Sequence, residues 1–571
     1  MKASIKGVFA PRLFTCLKDY NKSKFTTDIM AGIIVGIVAI PLAIAFGIAS
    51  GVGPTEGLVT AIIAGFIISA FGGTKVQIGG PTGAFIVIIY GIIQQHGLSG
   101  LMIATVMAGI ILIIMGISKL GNIIKFVPYP VIVGFTGGIA LTIFSTQMND
   151  IFGLGIEKVP ADFINKWISY FQHLGNINWL ALGVGLASLV IIIITPKFSK
   201  KIPGSLVSII IITLVVWILK NYFGVTGIQT IGDIYELPSG VPMPSIPELT
   251  MKEGETIFNV IQQLFPAAFT IAMLGAIESL LSAMVADGVI GDKHDSNTEL
   301  VGQGIANVVT PFFGGIPATG AIARTMTNIN NGGRTPIAGI IHAIVLLLVL
   351  LFLGQLVGYI PMPCLAGVLI IVSYNMSGWR TFKSLAKNPK SDFAVLLVTF
   401  VLTVIFDLTI AIEIGLLLAI VLFLKRTNEA SVIRVFKDEI DPGENLDINL
   451  HEEKLTIPEG VEVYEIDGPY FFGIANKFDE IMKQVGDNSK VRIIRMRKVP
   501  FIDSTGIHNL ETLCLQSKKE GIQVILSGVN KHVRATLEKA GFDKVVGADN
   551  ICSNINEALQ KSDEYVSKDK K

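Results

Sequence analysis

The chain has 571 residues, 51% of them hydrophobic and only 16% charged, with a formal net charge of +1 and a mean hydropathy of +0.63. A soluble domain carries roughly 25% charged residues, so most of this chain belongs in lipid. The net charge itself says nothing about a partner, since near-neutral totals hide local asymmetry, and no nucleic-acid partner is expected. Cys16, Cys364, Cys514 and Cys552 are too scattered for a disulfide framework or zinc site, and no HxxxH pair, Walker A motif or Ser-His-Asp-like set is present. No metal, no cofactor and no enzymatic activity are therefore expected.

Residues 1–27 form a basic segment with Lys2, Lys6, Arg12, Lys18, Lys22 and Lys24, and no cleavable signal peptide is apparent. Seven apolar stretches follow, near 28 to 49, 55 to 71, 82 to 94, 99 to 117, 129 to 147, 178 to 195 and 204 to 223. A loop at 224–257 is acidic and proline-rich, with Asp233, Glu236, Glu248, Glu253, Glu255, Pro238, Pro242, Pro244 and Pro247. Seven more apolar stretches lie near 262 to 285, 298 to 313, 319 to 330, 336 to 357, 363 to 378, 392 to 406 and 409 to 424. A full crossing takes about 20 helical residues, which makes the third and tenth stretches half-helices. The first half thus covers 28–223 and the second 258–426.

Lysine and arginine recur in every second loop, at Lys75, at Lys119 and Lys125, at Lys197, Lys200 and Lys201, at Arg380, Lys383, Lys387 and Lys390, and at Lys425 and Arg426. That bias places both termini in the cytoplasm. Seven crossings per half invert the second half relative to the first. The two half-helices also share an element: Gly79-Gly80-Pro81-Thr82-Gly83-Ala84-Phe85 has its counterpart in Gly314-Gly315-Ile316-Pro317-Ala318-Thr319-Gly320-Ala321-Ile322-Ala323-Arg324. Glycine and proline interrupting matched apolar segments mark the substrate site of a transporter built from inverted repeats. Pro81 and Pro317 suit helix entry, where their missing N–H is no loss.

Two helix N-termini facing one another at mid-membrane make an anion cage of unpaired N–H groups and positive dipole ends. Arg324 adds a fixed positive charge. Glu278, in Ala276-Ile277-Glu278-Ser279-Leu280-Leu281-Ser282, is the second ionisable group out of place in lipid, with Ser282 on the same helix face. It is expected to take up H+, or else to bind Na+ with Ser282, as the anion binds. Its structural alternative is a carboxylate bridged permanently to Arg324. Asp407, Glu413 and His342 are weaker candidates, the first two at a hairpin and the third a satisfied bundle histidine.

Beyond Arg426 the composition turns charged and mixed. A linker at 427–439 leads into strands at Val461 to Ile466, Val491 to Met496 and Val524 to Leu526, alternating with helices near 504 to 519 and 530 to 540. This is a small α/β domain over 440–565, followed by a polar tail at 566–571.

These residues resemble the sulfate permease (SulP) family, to which pendrin and prestin belong. Pro41-Leu42-Ala43-Ile44-Ala45-Phe46 is similar to the family's first-span Pro-Gln-Ala-x-Ala-Tyr, and Gly320 to Asn328 to its Gly-Ser-x-Ser-Arg-Thr-x-x-Asn. The resemblance implies an α-helical membrane protein of 14 transmembrane segments in a 7+7 inverted repeat. Its core domain (spans 1 to 4 and 8 to 11) moves against a gate domain (spans 5 to 7 and 12 to 14) as an elevator. It further implies an anion held by Thr82, Gly83, Ala84, Phe85, Gly320, Ala321, Ile322, Ala323 and Arg324, against Ala43 and Phe46 of the first span, with Glu278 as the coupling acid. The C-terminal region resembles a STAS domain, in which Phe501-Ile502-Asp503-Ser504-Thr505-Gly506 matches a loop whose serine is phosphorylated in anti-sigma factor antagonists. Ser504 is thus a candidate switch, although Asp503 and Ser504 also suit an ordinary helix cap.

Leu42 and Phe46 replace the family's glutamine and tyrosine, and Ala321 and Ala323 its serines, so backbone N–H groups and Arg324 should carry the anion. The site thereby leans toward the bacterial bicarbonate and dicarboxylate carriers, and glutamate at 278 toward H+. The expected function is H+-coupled symport of a small anion of the bicarbonate, sulfate or dicarboxylate class. Na+-coupled bicarbonate symport and an uncoupled channel or exchanger are the alternatives. The expected setting is the plasma (inner) membrane, as a homodimer with the STAS domain cytoplasmic.

Overall fold

The computed structural model describes residues 9–122, 127–156, 159–160, 162–198, 203–235, 242–245, 257–387, 389–406, 408–440, 454–474 and 489–568. Much of the acidic loop, together with Asp407 and several of the basic loop residues (Lys2, Lys6, Lys125, Lys200, Lys201), lies outside them. The chain divides into two compact units, Met1–Ala419 and Ile420–Lys571.

In the first unit the spans of the first half are Lys22–Ala49, Pro54–Phe71, Ile86–Ile117, Tyr129–Thr146, Trp179–Phe198 and Gly204–Phe223. Gly97, with φ of 68°, breaks the long third stretch into spans three and four. The second half has Ile257–Ile290, Ser296–Val309, Ile322–Asn330, Pro336–Val357, Met362–Met376, Lys390–Ile405 and the start of Leu408–Ala430. Among the described residues nine helices are long and apolar enough to cross a membrane. Ser296–Val309 and Ile322–Asn330 are shorter, with 14 and 9 residues.

Packing repeats with the sequence. Span 1 packs on spans 2 and 11, and span 8 on spans 9 and 4; span 5 packs on 13 as span 12 does on 6. Each pair recurs seven segments on, the signature of two halves related by a pseudo-twofold axis. Spans 4 and 9 approach through glycine, since a Cβ on Gly109 would stand 2.7 Å from the Gly304 carbonyl and one on Gly304 2.6 Å from that of Gly109. Small residues let membrane helices meet at such distances. Spans 6 and 7 are mostly unburied, and Leu186, Val190, Ile193, Ile210 and Leu214 face outward as a lipid-contacting surface would.

Side-chain contacts bear out the inversion. Arg12 donates to the carbonyls of Gly73 (3.4 Å) and Lys293 (2.6 Å), and Lys75 pairs with Asp292 at 2.7 Å. Asp28, at the start of span 1, accepts from the Arg334 N–H at 3.1 Å, ahead of span 11. The N-terminal segment and the loops after spans 2, 8 and 10 therefore share one side.

In the second unit, five strands run in the order β3-β6-β7-β8-β9: Val432–Phe436, Val461–Asp467, Val491–Lys498, Gln523–Ser527 and Ile551–Cys552. A separate pair joins β4 (Glu439–Ile440) to β5 (Leu455–Thr456). The pairs β6-β7, β7-β8 and β8-β9 are parallel, whereas β3 is an antiparallel edge. The stretch expected as a linker at 427–439 thus supplies an edge strand: Val-Ile-Arg-Val-Phe is β-branched and aromatic enough to pair. Helices Ser504–Lys519 and Lys531–Lys539 match the sequence reading closely.

Candidate functional site

The two halves meet through backbone. Gly79 and Gly80 (β1) pair antiparallel with Gly320 and Thr319 (β2), in the register Gly79↔Gly320 and Gly80↔Thr319. Just beyond β1, Thr82 caps a 3-10 turn, Gly83–Phe85, that runs into Ile86–Ile117. Just beyond β2, Ala321 caps Ile322–Asn330, and its own N–H is taken by the Ile78 carbonyl at 2.9 Å. Two first turns of unpaired N–H groups therefore start from one small sheet. Pro81 precedes its cap directly, whereas Pro317 lies four residues ahead of Ala321, before β2. The expectation that Pro317 opens its half-helix is corrected: residues 319–320 are spent on the strand pair first.

Arg324 is 2% exposed. Its Nη1 donates to the Gly79 carbonyl at 3.4 Å and its Nη2 to the Pro81 carbonyl. The guanidinium thus fastens the entry of the opposite half-helix and leaves its positive charge beside the site. Gly80, with φ of +146°, is where the backbone passes the guanidinium so closely that any Cβ would collide with it.

Glu278 Oε2 accepts from Thr82 Oγ1 at 2.8 Å, which ties the acid to the cap of the first half-helix. Among the described residues no ion pair joins Glu278 to Arg324, though each lies within electrostatic reach of the other. The permanent bridge considered from sequence is absent. Ser282, the expected partner in ion coupling, points its hydroxyl at Thr325 Oγ1 (3.4 Å), which also accepts from the Ile78 N–H (3.1 Å). Ser279 and Thr319, which the sequence reading passed over, share a 2.6 Å hydrogen bond, and Ser279 Oγ accepts from the Gly320 N–H at 3.2 Å. Ser279 is the neighbour of Glu278 and Thr319 the partner of Thr82 in the repeat. Those two adjacencies were the available signals.

The other expected site residues divide. Phe46 and Gly83 come together: a Cβ on Gly83 would meet Phe46 at 3.5 Å, and Ile143 and Met376 at 3.1 Å. Ile322 and Ala323 directly precede Arg324 and are exposed, while Ala84 and Ala321 are buried. Ala43 and Phe85 are drawn into packing instead, the Ala43 carbonyl against Gly57 of span 2 and the Phe85 ring against Gly275 of span 8 (3.6 Å to its Cβ position). His342 is fully buried, close to the Gly339 backbone of its own helix, and Glu413 is exposed.

A buried polar frame holds the loops, and the sequence reading missed it. Glu299 accepts from the Gly73 N–H (2.9 Å), Thr74 Oγ1 (2.8 Å), Gln77 Nε2 (2.8 Å) and Gln303 Nε2 (2.8 Å). Asn307 holds Ala318 through both backbone groups, at 2.9 and 2.8 Å. Thr60 Oγ1 accepts from the Ile316 N–H at 2.7 Å.

A model of the sulfate permease family matches residues 25–399. The chain belongs to the sulfate permease family. A STAS domain model matches residues 454–558. The chain is 42% identical to the putative sulfate transporter YvdB of Bacillus subtilis, over 95% of this chain and 98% of that one. It is 30% identical to the bicarbonate transporter BicA of Synechocystis, over 89% of each. Among solved structures, that of SLC26A9 superposes with a TM-score of 0.86 at 17% identity, covering 100% of this chain and 94% of that one. The transmembrane domain of a cyanobacterial BicA gives 0.60 at 31% identity, covering 70% of this chain and 98% of that one. As a sulfate permease family member with this fold, the protein is a membrane anion transporter and not an enzyme. In its STAS domain Asp503 caps helix Ser504–Lys519, accepting from the Gly506 N–H at 2.7 Å, and Ser504 is exposed.

Proposed function

We propose that this transporter is an H+-coupled symporter of a small anion, of the bicarbonate, sulfate or dicarboxylate class, working as an elevator between core and gate. The anion sits on the first-turn N–H groups after Thr82 and Ala321, with Arg324 supplying positive potential. The observation that carries the coupling is the 2.8 Å hydrogen bond from Thr82 to Glu278, because it joins a protonatable acid to the cap of an anion-binding helix. A proton on Glu278 offsets the charge of the arriving anion, and a core nearer neutrality crosses the low-dielectric barrier at lower cost. Ser282 turning to Thr325 leaves Glu278 with few oxygens for Na+, which supports H+. Similarity to BicA at 30% identity favours bicarbonate within the class. The same reading places both termini and the STAS domain in the cytoplasm, the protein in the plasma membrane, and two copies together as a homodimer.

The test is uptake into proteoliposomes of labelled bicarbonate, sulfate and fumarate, with H+ and Na+ gradients imposed separately. One proton per cycle through one acid makes each pH unit worth about 1.4 kcal/mol, or about tenfold in accumulation. Glu278→Gln is expected to abolish that accumulation while leaving exchange of anion against anion. Retention of pH-driven accumulation in this variant would remove Glu278 from the coupling role, and accumulation driven only by Na+ would replace the proton.

A further inference from the structure

A cavity of about 660 Å³ lies on the side of the first unit opposite its N terminus, where it touches the first half-helix at Tyr90. Its wall takes Ala45 from the end of span 1, Tyr90 from span 3, Asp150 and Lys166 from the connection between spans 5 and 6, Tyr235, and Met362 at the start of span 12. Lys166 belongs to the amphipathic helix Phe163–Gln172, which is anchored by Trp167 and Tyr170 with ring centroids 5.9 Å apart. It is 2% exposed. Among the described residues its ammonium has no carboxylate within ion-pair distance and no hydrogen-bond acceptor. Burying a charge unpaired costs several kcal/mol, so such a lysine is retained against a penalty.

One turn further along the same helix, Tyr170 is also buried, and its hydroxyl has no partner. It lies within electrostatic reach of Asp150 and Tyr90 of the cavity wall. Asp150, the carboxylate of that wall, takes a hydrogen bond from Asn149 at 3.4 Å and forms no ion pair with Lys166. Burial lowers the Lys166 ammonium to about 8, partly offset by Asp162, so the charge persists at neutral pH. Of these two donors, Lys166 is the one that lines the cavity, and it is cationic. The cavity wall reaches Ala45, the neighbour of Phe46, which packs against Gly83 at the anion site.

We propose that this cavity is a vestibule with a second anion station, in which Lys166 captures the small anion before it passes to the half-helices. The proposal rests on the anion-transport reading for its ligand. Its site is separate from the transport site and is loaded from one side only.

The test compares wild type, Lys166→Gln and Lys166→Arg in membrane vesicles of both orientations, using labelled bicarbonate and sulfate. Capture by a focused charge is worth at least about tenfold. Lys166→Gln is expected to raise KM about tenfold from the vestibule side, with Vmax and the KM from the other side unchanged. Its uptake should also lose sensitivity to ionic strength, and Lys166→Arg should restore wild-type behaviour. An unchanged vestibule-side KM, or an equal rise on both sides, overturns the station. A readout independent of transport uses Trp167 as sole tryptophan, quenched by iodide. Lys166→Gln should require about tenfold more iodide, and equal quenching in both forms overturns the proposal even if neither labelled anion is carried. Failure of uptake in the wild type, with iodide quenching still dependent on Lys166, would refute the chosen substrates and leave the station standing.

Discussion

Gly80→Ala tests the site with one methyl group. Gly80 has φ of +146°, and a Cβ there collides with the Arg324 guanidinium. Holding a non-glycine residue in that region costs about 1–3 kcal/mol, and displacing the guanidinium from one carbonyl costs about 1.5–3 more, together about 2.5–6 kcal/mol. The core either keeps Arg324 in place and loses stability, or yields and moves the positive charge off the site. In the second case each 1.4 kcal/mol is about tenfold in affinity, so KM should rise at least tenfold. Melting of the detergent-solubilised protein and anion uptake measure the two outlets. Gly91→Ala is the control, because a Cβ at Gly91 meets nothing within 4 Å. If Gly80→Ala matched Gly91→Ala in both melting temperature and KM, the close passage of Arg324 over β1 would be wrong.

Two further outcomes follow from the polar frame and the soluble unit. Glu299→Leu strands donors from Gly73, Thr74, Gln77 and Gln303 in a buried site; it should cost at least about 3 kcal/mol in a thermal melt, and a loss under 1 kcal/mol would deny Glu299 its role. Ser504→Asp places a negative charge in the first turn of Ser504–Lys519, where the dipole favours it by about 0.3–1 kcal/mol. The fold should persist while uptake rate changes, and an unaltered rate would end the idea of a phosphorylation switch at Ser504.

What sequence could show of this site depended on whether the signal was local. The half-helices were legible because glycine and proline interrupt matched apolar runs, and the loop charges then fixed their opposite directions. The strand pair between them was not, since two-residue strands carry no periodicity and Gly79 finds Gly320 only after both halves have folded. Phe85 shows the cost of treating a motif as a surface: its place in the repeated element marked it as a site residue, but the 3-10 turn Gly83–Phe85 turns its ring onto span 8. Glu299 and Asn307 were invisible for a related reason. A buried acid beside a helix start looks like any interfacial carboxylate until the four donors around it are known.

The distribution of hydrogen bonds bears on how such a site could move. Arg324 binds Gly79 and Pro81, Thr82 binds Glu278, Ser279 binds Thr319, Ile78 binds Thr325, and Asn307 binds Ala318. Each of these partners belongs to spans 3, 8, 9 and 10 or to the short segments leading into them, all within the proposed core. Contact with the proposed gate at Gly83 is of another kind, the apolar approach of Ile143 and Met376. Sliding the core past the gate would therefore break none of these hydrogen bonds, whereas separating the two half-helices would break the β1–β2 pair and both Arg324 contacts. At about 1–3 kcal/mol each in a water-poor interior, that difference favours carriage of the intact cage over a gate that opens between its halves. Cross-linking span 5 to span 12 within the gate should then leave transport intact, and cross-linking Ile143 to position 83 should arrest it.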